Sequence, residues 1–487
     1  MDTISHLSFL PLAIDYLDGT RTVARQDEDN IHFGLQQHGR VRRIVLQAPS
    51  SSMRIWLEPM NKLYPSLEDL SLLSTTTQEE DLVLPEKFQA PDLRRLALYG
   101  IGLPTGLRLL PSAIALSTLS ISHIAASCYF PPRDLVTQLQ SLPYLEELSI
   151  GFAIPIPLPS NERELLPAPI PAVTLPTLRR FTFRGVGVYL DNLVAQISTP
   201  LLERLSLTLF FELAFILVNL TEFIDRTEGF GPFVVRIIFN KDVASINVGH
   251  YEQRGIEKLS LHVNCQRLDW QIDSATQVCS ALGKVLFAVE ELTLDLDLDG
   301  MPSDWKNTLD NMLWHELLVP FIGVKRLLIG SSLTVELSQA LESVTGELVL
   351  DLLPELQELE VQLEIDHAKN AFSGFIATRQ SVGRPVSLLT LPRVPPRIRR
   401  RTLSLPETEP TEPEPRRRDR TTSQPQYAKS GSKPAPQRAR KPAPQRTPTM
   451  SYSSRRSFTS TVKQVLTDHQ QYVAQFWRID CTRLSHL

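Results

Sequence analysis

The chain has 487 residues, of which 42% are hydrophobic and 21% are charged, so it is long enough to bury a large core. Residues 391–487 hold 20 Lys and Arg against 7 Asp and Glu, which leaves 30 basic and 47 acidic residues before them and predicts an acidic body with a basic tail. The four cysteines form no C-x-x-C pair and no apolar run reaches the ~20 residues of a membrane helix, which excludes a cysteine zinc site, a redox motif and a membrane protein.

Residues 1–40 precede the repeats and are predicted to form an N-terminal cap. A short helix is expected over 27–38, because Ile31 and Leu35 share one helical face and Gly39 can end it. The first residues show no basic stretch followed by an apolar core, so a secretory signal is not expected. Together with the scattered cysteines, this predicts a cytoplasmic or nuclear protein.

The body is built from a hexapeptide pattern, apolar-x-x-apolar-x-apolar, that recurs twelve times with spacings close to those of leucine-rich repeats. The copies are Val41 (VRRIVL), Leu67 (LEDLSL), Leu93 (LRRLAL), Leu116 (LSTLSI), Leu145 (LEELSI), Leu178 (LRRFTF), Leu202 (LERLSL), Val234 (VVRIIF), Ile256 (IEKLSL), Val289 (VEELTL), Val324 (VKRLLI) and Leu356 (LQELEV).

Each copy is predicted to be a short strand, because its fourth and sixth positions point to one face and its fifth to the other. Helices are expected between copies, over 134–142, 191–197, 211–226, 273–288, 303–318 and 368–381, with Asp191, Asp273 and Ser303 as caps. The Pro-rich run over 154–176 is predicted to be an insertion loop. The sequence therefore predicts an α/β solenoid over 41–390, with parallel strands on the concave face and helices on the convex face.

The repeats, with leads such as Pro-Tyr-Leu-Glu-Glu-Leu at 143–148, resemble the leucine-rich-repeat region of fungal, basidiomycete-type F-box proteins over about residues 27–390. The stretch Leu10-Pro11-Leu12-Ala13-Ile14 resembles the opening of an F-box, Leu-Pro-x-Glu-Ile, but Ala13 replaces the acid and no later Val-Cys-x-x-Trp segment follows, so the F-box is expected to be absent or truncated. The resemblance implies a non-enzymatic adaptor that recognises a target protein and, if an F-box lies upstream, contacts a cullin-ligase linker subunit.

Small residues dominate the outward fifth position of the copies, and charges dominate the third. The fifth positions are Val45, Ser71, Ala97, Ser120, Ser149, Thr182, Ser206, Ile238, Ser260, Thr293, Leu328 and Glu360. Arg180, Arg204, Arg236 and Lys258 take the third position of four successive copies, which predicts a basic row roughly 15 Å long that binds an acidic segment of a protein partner. Two alternatives stay open: Glu147, Glu203 and Glu257 neutralise the row, or the columns are simply the polar positions of any solvated strand.

No catalytic, cofactor or metal site is predicted. Asp295-x-Asp297-x-Asp299 imitates the start of a calcium loop, but Lys306 stands at its twelfth position, so a solvated strand face is the favoured interpretation. The pairs formed by Cys265 with His262 and by Cys128 with His123 are interpreted as packing residues.

The tail divides into a disordered basic segment over 391–460, rich in Pro, Arg and Ser, and a short C-terminal helix over 461–487. Clusters such as RIRRR at 397–401 suit a solubilising tail, a nuclear import signal or a nucleic-acid contact. A nucleic-acid-associated protein acting through this tail is the alternative function.

Overall fold

The protein is described from a computed structural model. The chain divides into two compact units, 1–401 and 402–487, and all described residues belong to the first. The described residues are 10–17, 23–76, 82–104, 109–155, 173–227, 234–249, 257–297, 311–343, 352–362 and 365–390. The predicted tail and C-terminal helix, and most of the Pro-rich insertion, therefore lie outside them.

Seventeen strands occur in the described residues. They are Leu12–Tyr16 (β1), Val41–Ala48 (β2), Asp69–Ser74 (β3), Arg95–Tyr99 (β4), Thr118–Ile124 (β5), Glu147–Phe152 (β6), Val173–Thr174 (β7), Arg180–Gly185 (β8), Ile197–Ser198 (β9), Arg204–Phe210 (β10), Val234–Phe239 (β11), Val243–Gly249 (β12), Glu257–Asn264 (β13), Glu291–Leu296 (β14), Arg326–Ile329 (β15), Glu358–Val361 (β16) and Ser387–Thr390 (β17).

The helices lie between strands. They are Arg25–Gln36 (α1), Ser50–Leu57 (α2), Leu109–Ser112 (α3), Pro132–Leu139 (α4), Gly187–Val194 (α5), Val218–Arg226 (α6), Leu268–Ala281 (α7), Gly283–Leu286 (α8), Asn311–Leu318 (α9), Thr334–Ser343 (α10) and Ile365–Ser381 (α11), with 3₁₀ turns at Glu58–Met60, Ala126–Cys128 and Ser331–Leu333. No helix in the described part of the chain combines the length and hydropathy needed to cross a membrane.

Fifteen of the strands form one sheet in the order β1-β2-β3-β4-β5-β6-β8-β10-β13-β12-β11-β14-β15-β16-β17, and β7 pairs with β9 separately. Neighbouring strands of the large sheet are parallel except at β11–β12 and β12–β13. The predicted mixed α/β class with mainly parallel strands is confirmed, and the third to sixth positions of all twelve hexapeptide copies lie in strands of this sheet.

The hexapeptide forms a strand because its apolar positions fill one continuous core. The fourth and sixth positions of every copy are at most 1% exposed, and they belong to a single hydrophobic cluster with the apolar faces of the helices. Leu148, for example, lies between Leu119 and Phe181 of the two adjacent strands. The fifth position lies between these two and therefore faces away from the core.

The amino-terminal region is more regular than the repeat pattern indicates. The predicted helix over 27–38 is present as α1, with Ile31 and Leu35 buried. Leu12–Tyr16, which contains part of the F-box-like stretch, forms β1 and pairs in parallel with Val41–Leu46. The sheet therefore begins one strand before the first hexapeptide copy.

The order of the strands departs from the order of the chain at one place. Residues 234–249 form an antiparallel hairpin, β11 and β12, whose turn is held by the Asn240 side-chain oxygen as it accepts the amides of Asp242 and Val243. Strand β13 then returns beside β10, so the hairpin lies between β13 and β14. The interval between Val234 and Ile256 is the shortest of the series at 22 residues, yet it contains this extra strand, which the hexapeptide pattern does not include.

The predicted helical stretches overlap observed helices, but the predicted caps Asp191 and Asp273 are wrong. Both residues lie inside helices, α5 and α7. Asp191 is fully buried and accepts hydrogen bonds from the Asn219 side-chain amide (2.8 Å) and the Leu220 backbone amide (2.9 Å) in the first turn of α6. It therefore caps the next helix rather than its own. Helices α2, α3 and α10 are additional helices that the pattern did not predict, and Ser303 lies outside the described residues.

Replacing Asp191 with alanine is expected to lower the free energy of unfolding by about 2–4 kcal/mol, because two buried donors lose their acceptor. Burial raises the pKa of Asp191, and the bonds from Leu220 and Asn219 only partly oppose the shift. The unfolded carboxyl has a pKa of about 3.9. Because the pKa of Asp191 is higher in the folded state, the stability that its protonated carboxyl contributes is fully present below the unfolded pKa. This contribution is lost as the pH rises through the folded pKa.

The test is chemical denaturation of the wild type and of Asp191→Asn, which does not titrate, at about pH 4.5 and 7.5. The stability of the wild type relative to the Asn variant should decrease at the higher pH. A difference that does not change with pH would contradict the raised pKa.

Candidate functional site: the open face of the sheet

The open face is the side of the large sheet that carries the third, fifth and seventh positions of the strands, opposite the core. Its middle is a row of small side chains on seven adjacent strands, joined by the observed register. This small-residue row is Ser71, Ala97, Ser120, Ser149, Thr182, Ser206 and Ser260. With strands about 4.8 Å apart the row is roughly 29 Å long. Because its side chains are short, a partner can approach the strand backbones closely along it.

The third positions form a charged border along one side of the small-residue row, and many of their charges pair across neighbouring strands. Arg95 lies 3.5 Å from Asp69. Arg326 lies 2.8 Å from Glu358 and 3.3 Å from Glu291. Both arginines of these pairs are exposed to solvent, so each pair contributes little stability.

The structure separates the four basic residues that the sequence places in one row. Arg180 and Arg204 are direct neighbours, and the register Leu205 to Leu259 sets Lys258 at the next step on β13. In the strand register, Arg236 lies opposite Asn247 on β12 and Thr293 on β14, so it belongs to the line of the fifth positions. Its strand, β11, is two strands away from β13. The predicted row of four is therefore wrong at Arg236, because the hairpin displaces β11 and shifts its register by two residues.

Of the three acids that the sequence suggests could neutralise the basic row, the structure shows one, Glu147, in an ion pair with a residue of the row. Glu147 forms an ion pair with Arg180. Glu203 pairs with Arg179, outside the row, and Glu257 accepts a hydrogen bond from Ser260 (2.8 Å). Arg204 is exposed, and no described residue forms an ion pair with it. Arg236 is paired with Asp295 at 3.2 Å.

The seventh positions form a second border, which the hexapeptide pattern does not reach. Across six adjacent strands the border reads Tyr99, Ser122, Gly151, Arg184, Thr208 and His262. A side chain at Gly151 would contact Arg184 on one side and Ser122 on the other, at 3.6 and 3.7 Å, so the glycine leaves a gap between them. The strands extend one residue beyond the sixth position, and this keeps the seventh on the open face.

Arg184 is the most unusual group of the second border. Its guanidinium carbon lies 5.6 Å from the centre of the Phe210 ring, a cation–π contact. Its Nε is buried and has no hydrogen-bond partner among the described residues, and no described carboxylate pairs with it. Burial lowers the pKa of Arg184, while the nearby Tyr99 hydroxyl raises it in part. Arginine nevertheless stays charged at neutral pH.

Aromatic and imidazole groups lie on either side of Arg184 along the same border. Tyr99 is 7% exposed, and its ring centre lies 5.0 Å from that of His123, whose backbone is in the left-handed region (φ 59°). Burial raises the pKa of Tyr99, so its hydroxyl keeps its proton. His262 shares a 2.9 Å hydrogen bond with Ser245, and burial lowers its pKa, so it is neutral at pH 7.

The cysteines lie where the packing interpretation places them. Cys128 and Cys265 are buried, and burial raises the pKa of Cys265, which keeps it a thiol. Burial also raises the pKa of Cys279 to about 12. A raised pKa removes the thiolate that nucleophilic catalysis uses.

The calcium-like stretch forms a strand and the coil after it, with Leu294 and Leu296 buried and Asp295 paired with Arg236. Asp299 and Lys306 lie outside the described residues. Over the ranges that the structure describes, no three His, Cys, Asp or Glu side chains come together as a metal site.

No protein-family model matches the chain. No curated protein matches it either.

Proposed function

We propose that this chain is a non-enzymatic protein-binding scaffold, a leucine-rich-repeat solenoid whose open face is concave and receives a protein partner. The small-residue row is the observation that carries the proposal. Seven adjacent strands with short side chains, bordered by charges on one side and by Arg184 and Tyr99 on the other, provide a long floor with polar walls. Repeat proteins use such surfaces for binding.

Its cellular role, on the resemblance to fungal F-box proteins, is target recognition for a cullin-type ubiquitin ligase in the cytoplasm or nucleus. Leu12–Tyr16, which contains part of the F-box-like stretch, forms a strand of the sheet. The support for the adaptor role is therefore the sequence resemblance alone. A pull-down with a purified cullin-ligase linker subunit tests it. Stoichiometric retention supports an adaptor, whereas no retention reduces the function to partner binding alone.

The binding surface can be tested with a photocrosslinking residue, p-benzoylphenylalanine, introduced singly at Ser149 or at Thr182. Both positions lie in the centre of the small-residue row. The control position is Val335 on helix α10, which is 61% exposed. The same crosslinked partner should appear from Ser149 and Thr182 after irradiation of cells, identified by mass spectrometry, and should be absent from Val335.

A blocking variant, Ser149→Trp, provides the loss-of-function arm. A bulky indole on the floor should reduce capture of the crosslinked partner at least about tenfold, which corresponds to 1.4 kcal/mol. The melting temperature should change little, because the side chain faces away from the core. Equal crosslinking from all three positions, or undiminished capture by the Trp variant, would remove the open face as the binding surface.

A second candidate function follows from the 20 basic and 7 acidic residues of 391–487. In this proposal the tail binds nucleic acid through phosphate contacts. Deleting residues 393–460 should then abolish binding to a duplex DNA probe, and affinity in the full chain should fall steeply with salt. Binding that survives the deletion, or that does not depend on salt, would contradict this function.

A further inference from the structure

Two arginines of this fold, Arg379 and the half-buried Arg184, are removed from solvent to different degrees, and they differ in their partners. Arg379 is fully buried, and it donates to the carbonyl oxygens of Leu353 (3.2 Å), Pro354 (3.3 Å) and Leu356 (3.1 Å). Arg184 has no hydrogen-bond acceptor and no counter-ion among the described residues. The buried Nε of Arg184 has no acceptor, which is unfavourable, so an acceptor that binds there stabilises the guanidinium more than it would stabilise that of a fully exposed arginine.

The surroundings of Arg184 leave it accessible from one direction. Gly151 has no side chain on one flank, and Phe210 supports the guanidinium at 5.6 Å on the other. The position lies on the open face, two residues along β8 from Thr182 in the small-residue row. A ligand lying along that row would therefore pass beside the guanidinium.

The charge available at this point suits a carboxylate. Arg180, the nearest third-position cation on the same strand, is four residues away, which is about 13 Å, and it is already paired with Glu147. One guanidinium matches the single charge of a carboxylate and can bind both of its oxygens. A phosphoryl group with nearly two charges would require a second cation.

We propose that Arg184 is the anchor of a carboxylate site on the open face, which receives an aspartate or glutamate side chain of the protein partner. The inference rests on the proposed function, since it names the chemistry of the partner at that surface.

The first test needs no partner and compares the melting temperatures of the wild type and Arg184→Met. Arg184 forms no ion pair within the described residues, so Arg184→Met loses only the contact of the guanidinium with Phe210, and the variant should melt less than about 3 °C below the wild type, or above it. A fall of about 3 °C or more exceeds the loss of that contact; it would show that a carboxylate of this chain already pairs with Arg184, and the proposal would be overturned.

The second test uses sodium glutarate and inorganic phosphate as probes at constant ionic strength. Glutarate at about 50 mM should raise the melting temperature of the wild type by about 1 °C. Arg184→Met should lose this rise, and the matched control Arg204→Met, an exposed arginine of the charged border, should keep it. No rise in the wild type, an equal rise in Arg184→Met, or a larger rise with phosphate would each contradict a carboxylate site.

The third test separates the inference from the proposed function. The crosslinker at Thr182 is combined with Arg184→Met or with Arg204→Met. Adduct yield should fall at least about tenfold with the first change and less with the second. Full yield with Arg184→Met would refute the anchor while leaving the scaffold intact, whereas no adduct from any open-face position in the wild type would refute the scaffold itself.

Discussion

Leu148→Asp is expected to prevent stable folding of the sheet, with a loss of about 4–5 kcal/mol or more in the free energy of unfolding. Leu148 is 1% exposed and packs in the centre of the sheet between Leu119 and Phe181. A carboxylate there has no donor to bind, and its burial also leaves the volume of the leucine partly empty. Circular dichroism melts of the purified variant would show a large fall in the melting temperature or no cooperative transition.

Ser149→Asp is the matched control, one residue along the same strand. Ser149 faces away from the core between Ser120 and Thr182, so its carboxylate remains hydrated. The expected change is within about 1 kcal/mol, the range of solvent-facing strand substitutions. If both variants lose stability equally, the assignment of core and open faces is wrong.

The same alternation explains how much of the fold the sequence predicts. Apolar side chains at the fourth and sixth positions can be buried on one face only in a strand, so the third to sixth positions of all twelve copies lie in strands. The hairpin over 234–249 was not predicted, because VVRIIF at Val234 matches the hexapeptide pattern and so indicates one more parallel repeat strand. The turn signal Asn240-Lys241-Asp242 between two alternating apolar runs was the available evidence for it.

The candidate site was predictable only in its central part. The small-residue row follows from the fifth positions, but its true neighbours depend on the strand order, which local sequence does not encode. Arg236 therefore fell in the wrong row. Arg184 was missed because the hexapeptide ends one residue before it, and because the lack of a partner is a property of packing, not of spacing.

Arg379→Met is expected to lower the free energy of unfolding of the carboxyl-terminal edge of the sheet by about 3–5 kcal/mol. Arg379 on α11 binds three carbonyls of the segment that leads into β16, where Leu353 adopts a left-handed backbone (φ 49°). Methionine fills a similar volume but donates no hydrogen bond, so buried carbonyls lose their partners and the strained turn loses its support.

The effect of Arg379→Met should be local, because among the described strands β16 and β17 lie at one end of the sheet and pair only with β15 and with each other. Hydrogen exchange read by mass spectrometry should show faster exchange over 352–390 and unchanged protection in β5 and β6. Arg379→Lys is the matched control, because lysine keeps the charge but can bind fewer carbonyls. Its exchange rates over 352–390 should lie between those of the wild type and those of Arg379→Met. Uniform loss of protection along the sheet would mean that Arg379 supports the whole fold, and unchanged exchange would mean that the carbonyl contacts do not stabilise the edge.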